Sequence, residues 1–530
     1  MSLDLLIRGG SVIDGTGTPA RRADVGVRDG RIEAIGDLRA ATAAEIIEAT
    51  GDVVSPGFID THTHGDLAWS LPDEHIDVKT AELRQGVTTE VTGNCGFSTF
   101  PADGPHADQV TELVATLFGS GTRAWPDLAS YRASATGLHA NVAPLVGHGS
   151  IRAAVLGFAD RAPDAAELRA MTSLAEQALV QGAVGISSGL VYAPGLYART
   201  DEISAIARAL KGTGRPYVTH LRGETDMVAD SVREAIRIGR EAGVPVHISH
   251  HKVSGKENWG RTAETLAIVD AARAEGIDVS VDVYPYTAGS TLLHSILPPW
   301  ALADGIDAMV ARLGERTARE RIKRDFSDGL PGWQNQQRAA GWDGIVIASC
   351  AGRPELEGQR VDRLAAASGT DPADVAFDLI AGQQGRVTMI AHTMREDDVE
   401  RVIAHPASMI GSDAIPLPGK PHPRLAGTFS RILGRYVRER GVLDLPTAVR
   451  KMTGLPAQRF GLDDRGLLER GKIADIVVFD PAIVLDRATY EQPLLEPVGI
   501  SAVLVRGRVA IRDGEVTGLR AGVMLGTERG

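Results

Sequence analysis

The sequence predicts an α/β fold. It reads as a (β/α)8 barrel of the TIM type, with a small β-sandwich domain made from both termini and an insertion near the barrel mouth. Three observations predict this. Eight short apolar runs alternate with stretches of helical periodicity, as parallel βαβ units require. Both ends of the chain instead carry short β-like runs broken by Gly or Asp-Gly, the signal of hairpins. One interval between two barrel-like runs is too long for a single crossover helix.

The elements follow in order. LLIRGGSVIDG, ADVGVRDGRIEAIG and EIIEATGDVV open the chain as hairpin-like strands. GLLERGKIADIVVFD and ISAVLVRGRVAIRDGEVTG close it with the same texture. Neither end alone has enough strands for a stable domain, so residues 1–55 and 465–530 are expected to form one. The barrel, residues 56–464, takes its strands from PGFIDTH, GVTTEVTGN, ANVAPLVGHG, GAVGISSGL, PYVTHLRG, VPVHISHHK, DVSVDVYPY and ASMIGSDA. Between them lie segments such as DSVREAIRIGREAG, with helical spacing of apolar residues. The long interval starts with ILPPW and holds two further apolar runs, IVIASC and VTMIAH. Residues 289–348 of it are expected to form the insertion or lid.

Bulk properties narrow the function. A chain of 530 residues with 43% hydrophobic and 23% charged residues is long enough and apolar enough to bury a large core. A net charge of −12 with no basic block argues against nucleic acid or an anionic membrane as partner. No apolar run approaches the ~20 residues that cross a bilayer. The N-terminus has no basic start followed by a long apolar stretch, so a cytoplasmic protein acting on a small molecule is expected. Two cysteines, Cys95 and Cys350, make no disulfide framework; each is a buried thiol or a ligand.

In barrels of this kind the C-terminal strand ends carry the chemistry. Here they offer His62 and His64, then Cys95, His220, the group His247, His250, His251 and Lys252, and Asp413. Side chains alternate along a strand, which puts His62, His64 and Asp60 on one side. The same alternation gives His247 the parity of His251, not of His250, and lets Arg222 reach the side of His220. Cys, His and Asp are the ligand types that zinc uses. One such residue alone is more often structural. Several independent strand ends, each with a zinc ligand, point to a metal site. His148 and His392 also end apolar runs; a supporting and a purely structural role stay equally open for both. Cys350 lies in the suspected insertion region and reads as structural.

PGFIDTHTH, TEVTGNCGFS, GHGSIR, GISSGLVYAPG, THLRGE, HISHHK, VYPYTAGST, GSDA and HPRLAGTFSRIL, in this order, resemble the amidohydrolase superfamily. Within it they are similar to the D-aminoacylase, or N-acyl-D-amino-acid deacylase, family. Many relatives bridge their metals with a modified lysine on strand four. GAVGISSGL has none, and the resemblance implies Cys95 in the bridging or anchoring role. The resemblance implies one tight Zn2+ on Cys95, His220 and His250, and a weaker second metal position near His62 and His64. It implies Asp413 as general acid/base and Lys252, Tyr284 and Arg424 as holders of the substrate α-carboxylate. Tyr192 and Ser290 match pocket positions.

The implied reaction is zinc-dependent hydrolysis of N-acyl-D-amino acids. Family members that take D-glutamate derivatives place an arginine in this region, and none, nor a lysine, occurs from Tyr284 to Trp300, so the resemblance implies an apolar substrate side chain. That run carries Leu292, Leu293, Ile296 and Leu297 instead. Packing of the run against the protein alone is the competing reading. A cyclic-amide hydrolase of the dihydroorotase or hydantoinase type, and a non-catalytic scaffold relative, stand as alternatives.

Overall fold

The computed structural model describes residues 2–119 and 121–526. Its centre is a closed ring of eight parallel strands. These are β1 (Phe58–Asp60), β2 (Val87–Thr92), β3 (Asn141–Pro144, continued by Val146–Gly147), β4 (Ile186–Gly189), β5 (Tyr217–His220), β6 (Val246–Ile248), β7 (Val279–Val283) and β8 (Ser408–Ile410). The break in β3 at Leu145 lets its first half pair with β2 and its second with β4. The ring closes just past the strand ends, where Thr63 and Ala414 form a parallel bridge. There the Asp413 amide also donates to the His62 carbonyl at 2.6 Å.

The crossover helices form as their spacing demands. Val228–Ala242 buries Val228, Val232, Ala235, Ile236 and Gly239 on one stripe and stops at Gly243, in the left-handed conformation that ends helices. Ala165–Val180 starts with a capping box between Asp164 and Glu167. Together with the strands, these helices build one continuous core.

Both termini meet in one nine-stranded sheet. The junction is Val53–Pro56 against Ile476–Phe479, antiparallel, with Val54 opposite Val478. Leu5, Val25, Val54, Ile476 and Leu504 share its core. The Asp-Gly signals are real turns: Asp29 and Gly30 have φ of 51° and 73°, and Asp513 and Gly514 have 51° and 82°. Two positive φ values in a row are what a tight type I′ hairpin needs.

The segment between β7 and β8 is a subdomain with its own sheet. Ala288–Leu292 and Ile345–Ser349 both pair antiparallel with Thr388–His392, which lies between them. Its core runs from Leu293 to Met389. The expected insertion of 289–348 therefore stops short: IVIASC and VTMIAH are the second and third strands of the same unit. Leu293, Ile296 and Leu297 are buried in that core, and Cys350 lies there with them.

Candidate metal centre and active-site cleft

The strand ends turn inward where the backbone takes an uncommon conformation. Cys95, His250 and Asp413 have φ of 54°, 34° and 53°, the left-handed region that ordinary residues avoid. Such strain persists where the surroundings over-determine it, and it clusters at functional sites. Close packing helps to hold Cys95. A Cβ on Gly189 would lie 2.1 Å from the Cys95 carbonyl oxygen, so only glycine fits at that end of β4.

Cys95 Sγ sits at the centre of three imidazoles. His62 Nε2 is 3.4 Å away, His250 Nε2 3.5 Å and His220 Nδ1 3.7 Å. Donor atoms of His62, Cys95, His250 and Asp413 all lie within 4.8 Å of one another. Asp413 Oδ1 is 3.4 Å from Nε2 of both His62 and His64. Every one of these side chains is buried. Burial alone pushes the Cys95 thiol up, but His62, His220 and His250 outweigh it and hold its pKa well below the ordinary value. A thiolate among imidazoles, with a carboxylate beside them, is a donor set that suits zinc.

The outer ring nitrogens face carboxylates. Glu224 Oε1 lies 3.2 Å from His250 Nδ1 and 3.9 Å from His220 Nε2. Asp282 Oδ2 lies 3.7 Å from His62 Nδ1 and 2.6 Å from His247 Nε2. Carboxylates in this position orient metal-binding imidazoles and raise their basicity. Both residues were missed at the sequence level. The available signals were a carboxylate four residues after a strand-end histidine, and an acid inside the apolar strand VSVDV.

A cleft of about 480 Å3 opens beside the cluster, lined by Tyr192, His220, Lys252, Tyr284, Ser290 and Asp413 among others. Lys252 Nζ donates to Glu224 Oε1 at 2.6 Å. Burial opposes both charges, but each holds the other ionised: Glu224 falls below the carboxylate range and Lys252 rises. The Tyr284 hydroxyl is buried and has no hydrogen-bond partner. Arg424 lies over the Tyr284 ring, 4.7 Å from its centroid, and donates to the Ser290 carbonyl at 3.0 Å. Arg424 Nη1 is 2.7 Å from Asp413 Oδ2. Burial raises the pKa of Asp413. Arg424, His250, His64 and His62 more than offset that, so the carboxylate stays ionised well below its usual range.

Other candidates go elsewhere. Asp60 does not join the two histidines: its Oδ1 accepts from the backbone amides of His62 and Ser412. The strand ends at Asp60, so strict alternation does not extend to His62 and His64. Arg222 turns away to Glu234 and the carbonyls of Leu196 and Ala198. His148 pairs with Glu202 at 2.9 Å. His247 is held by Ser280 and Asp282, and His251 by Thr265. His392 is exposed and packs on Tyr490.

Residues 45–511 match the model of the amidohydrolase family. The chain is 43% identical over 524 residues to a D-aminoacylase of Alcaligenes xylosoxydans xylosoxydans, covering 98% of this chain and 97% of that one. It is 41% identical to an N-acyl-D-glutamate deacylase of the same organism, covering 95% and 93%. Among solved structures it is similar to an N-acyl-D-glutamate deacylase from Bordetella bronchiseptica, complexed with zinc and a phosphonate mimic of the tetrahedral intermediate. That match has a TM-score of 0.85 and 39% identity, over 99% of this chain and 100% of the other. The chain belongs to the amidohydrolase family.

Proposed function

We propose that the protein hydrolyses the linear amide bond of N-acyl-D-amino acids, releasing a carboxylate and a D-amino acid. One observation carries this reading. The buried thiolate–imidazole cluster and the ionised Asp413 stand at one side of a cleft, with a cation and an unpartnered hydroxyl, Lys252 and Tyr284, on its wall. Such a cleft suits an amide next to a free carboxylate. The relatives above carry names that specify N-acyl-D-amino acids or a D-aminoacylase, which supports the same substrate class and its configuration.

Cys95, His220 and His250 would hold the tight zinc, with His62 and His64 beside Asp413 for a weaker second ion. When bound, the metal supplies Lewis acidity, which makes water nucleophilic near neutral pH and polarises a carbonyl. Asp413 takes a proton from the attacking water and returns a proton to the leaving amine nitrogen. Lys252, Tyr284 and Arg424 fix the α-carboxylate, and Ser290 and Tyr192 shape the cleft around the rest.

The side-chain preference needs a new argument, because Leu293, Ile296 and Leu297 turn into the subdomain core and not the cleft. The cleft wall there holds Ser290, Thr291, Gln334, Ala339 and Ala391. Among the described lining residues the only Lys or Arg is Lys252, already paired with Glu224. An acidic side chain would lose water without gaining a free cation. The preference for apolar side chains therefore stands on the lack of a charge partner.

The test uses zinc-loaded protein with N-acetyl-D-leucine, -methionine, -phenylalanine and -valine, their L forms, N-acetyl-D-glutamate, hydantoin and dihydroorotate. Turnover of the D-leucine class above all others is expected. Faster hydrolysis of hydantoin or dihydroorotate overturns the linear-amide reading, and faster hydrolysis of the D-glutamate derivative overturns the side-chain preference.

A further inference from the structure

Gln334 stands where the insertion subdomain meets the loops beside the metal ligands. It is 6% exposed and lines the cleft together with Glu224 and Lys252. Its Oε1 accepts a hydrogen bond from the backbone N–H of Glu224 at 2.5 Å. A backbone N–H can only donate, so this partner fixes which way the Gln334 amide points. The residues on either side tie Gln334 to the subdomain. The Trp333 ring stacks on Phe326, with centroids 6.2 Å apart, and Asn335 Nδ2 donates to the Phe326 carbonyl at 2.9 Å. Asn335 Oδ1 also accepts from the Arg338 amide and so caps the helix Gln336–Ala340.

We infer that Gln334 is a positioning residue for the tight-metal imidazoles and for Lys252, acting through Glu224. The inference rests on the deacylase reading for the role of Lys252 in holding the α-carboxylate. Glu224 is the node. Its Oε1 lies 2.6 Å from Lys252 Nζ, 3.2 Å from His250 Nδ1 and 3.9 Å from His220 Nε2. Its backbone lies in an irregular stretch after Gly223, outside any helix or strand. Two hydrogen bonds hold it there. The Gln334 side chain takes its N–H, and its carbonyl accepts from the Ser254 amide at 2.7 Å. The first comes from the insertion, the second from the loop after β6. Without the Gln334 acceptor, a buried N–H loses its partner, which is costly. Turning that N–H toward water moves the carboxylate with it. The two imidazoles then lose the group that orients them, and Lys252 loses the anion that holds its ammonium in the cleft. Direct partners of metal-binding imidazoles are worth about 10- to 100-fold in metal affinity. Gln334 acts one step farther out, which sets its effect at the lower end. Docking of the insertion, zinc affinity and recognition of a free carboxylate are thereby one coupled unit.

The experiment measures two quantities in the full chain. One is the zinc dissociation constant, by competition with a chelator in the absence of substrate. The other is KM and kcat at saturating zinc, for N-acetyl-D-leucine and its α-amide. Gln334→Met keeps the volume and removes the acceptor oxygen. Gln334→Asn falls one methylene short of the Glu224 amide. Each should weaken zinc binding by about tenfold. Each should raise KM for the acid by about tenfold, with kcat and the KM of the amide changed by less than about threefold. Gln334→Glu keeps an acceptor oxygen at the same reach and should return zinc binding to within about threefold of the parent. A side chain that only packs the insertion would lower the melting temperature and leave zinc affinity and KM as in the parent. That result in the soluble variants overturns the inference. Zinc binding as weak in Gln334→Glu as in Gln334→Met also overturns it, because the acceptor oxygen is then not what matters. If neither substrate is hydrolysed by the parent, the deacylase reading fails, and the zinc constants still decide the role of Gln334.

Discussion

The guanidinium of Arg424 lies 2.7 Å from the carboxylate of Asp413, and both side chains are buried. Under the proposed function, one cation serves two anions in turn. It keeps Asp413 ionised, and it stands over Tyr284 at the place proposed for the substrate α-carboxylate. Arg424→Met should cost kcat/KM on N-acyl-D-amino acids about 10- to 100-fold more than on their α-amides, the scale of a charge-assisted hydrogen bond. Equal losses on acid and amide would assign Arg424 to Asp413 alone.

Asp413 itself is tested by Asn, which keeps its shape and removes its basicity. Turnover should fall by on the order of 10² or more. Zinc content, measured by atomic emission, should stay near that of the parent, because Cys95, His220 and His250 remain in place. A variant with near-parent turnover would show that another group moves the proton.

Much of this arrangement could be read from the sequence. The eight strands are short apolar runs between turn signals, and Asp-Gly at 29–30 and 513–514 marks real hairpins. The residue types at the strand ends were visible too. Their directions were not. Cys95, His250 and Asp413 take positive φ, so a period-two rule cannot place them. His250 and His251 also lie beyond the end of β6. Asp282 and Glu224 were hidden because an acid beside a histidine has no fixed meaning until the two rings face it. The run LLHSIL misled because apolar residues do not state which core they join. The insertion has one of its own.

The two cysteines separate function from packing. Cys95 touches three imidazoles, whereas Cys350 is buried among apolar side chains of the insertion. Cys95→Ala should lose zinc and activity together, with the circular dichroism spectrum kept. Cys350→Ala should retain both zinc and turnover. Full zinc content in Cys95→Ala would remove the thiolate from the metal site.

Stability at low pH has a second source away from the metal. Arg152 is fully buried, donates to both oxygens of Glu202 at 2.7 Å, and also to the Arg161 carbonyl; His148 completes the group. Burial raises the pKa of Glu202, but His148 and Arg152 outweigh it and bring it below the ordinary 4.5. The unfolded chain then binds more protons than the folded one as pH falls toward that lower value. The contribution of Glu202 is therefore complete above about pH 4.5 and is lost as pH drops through the folded-state pKa. Glu202→Gln leaves a buried guanidinium without its counter-charge and should destabilise the protein by about 3 kcal/mol at pH 7. The gap in melting temperature between parent and variant should narrow below pH 4.5. Loss of metal at low pH affects both proteins alike, so the difference isolates this carboxylate. A gap that widens on acidification would mean that the folded-state pKa of Glu202 is raised, not lowered.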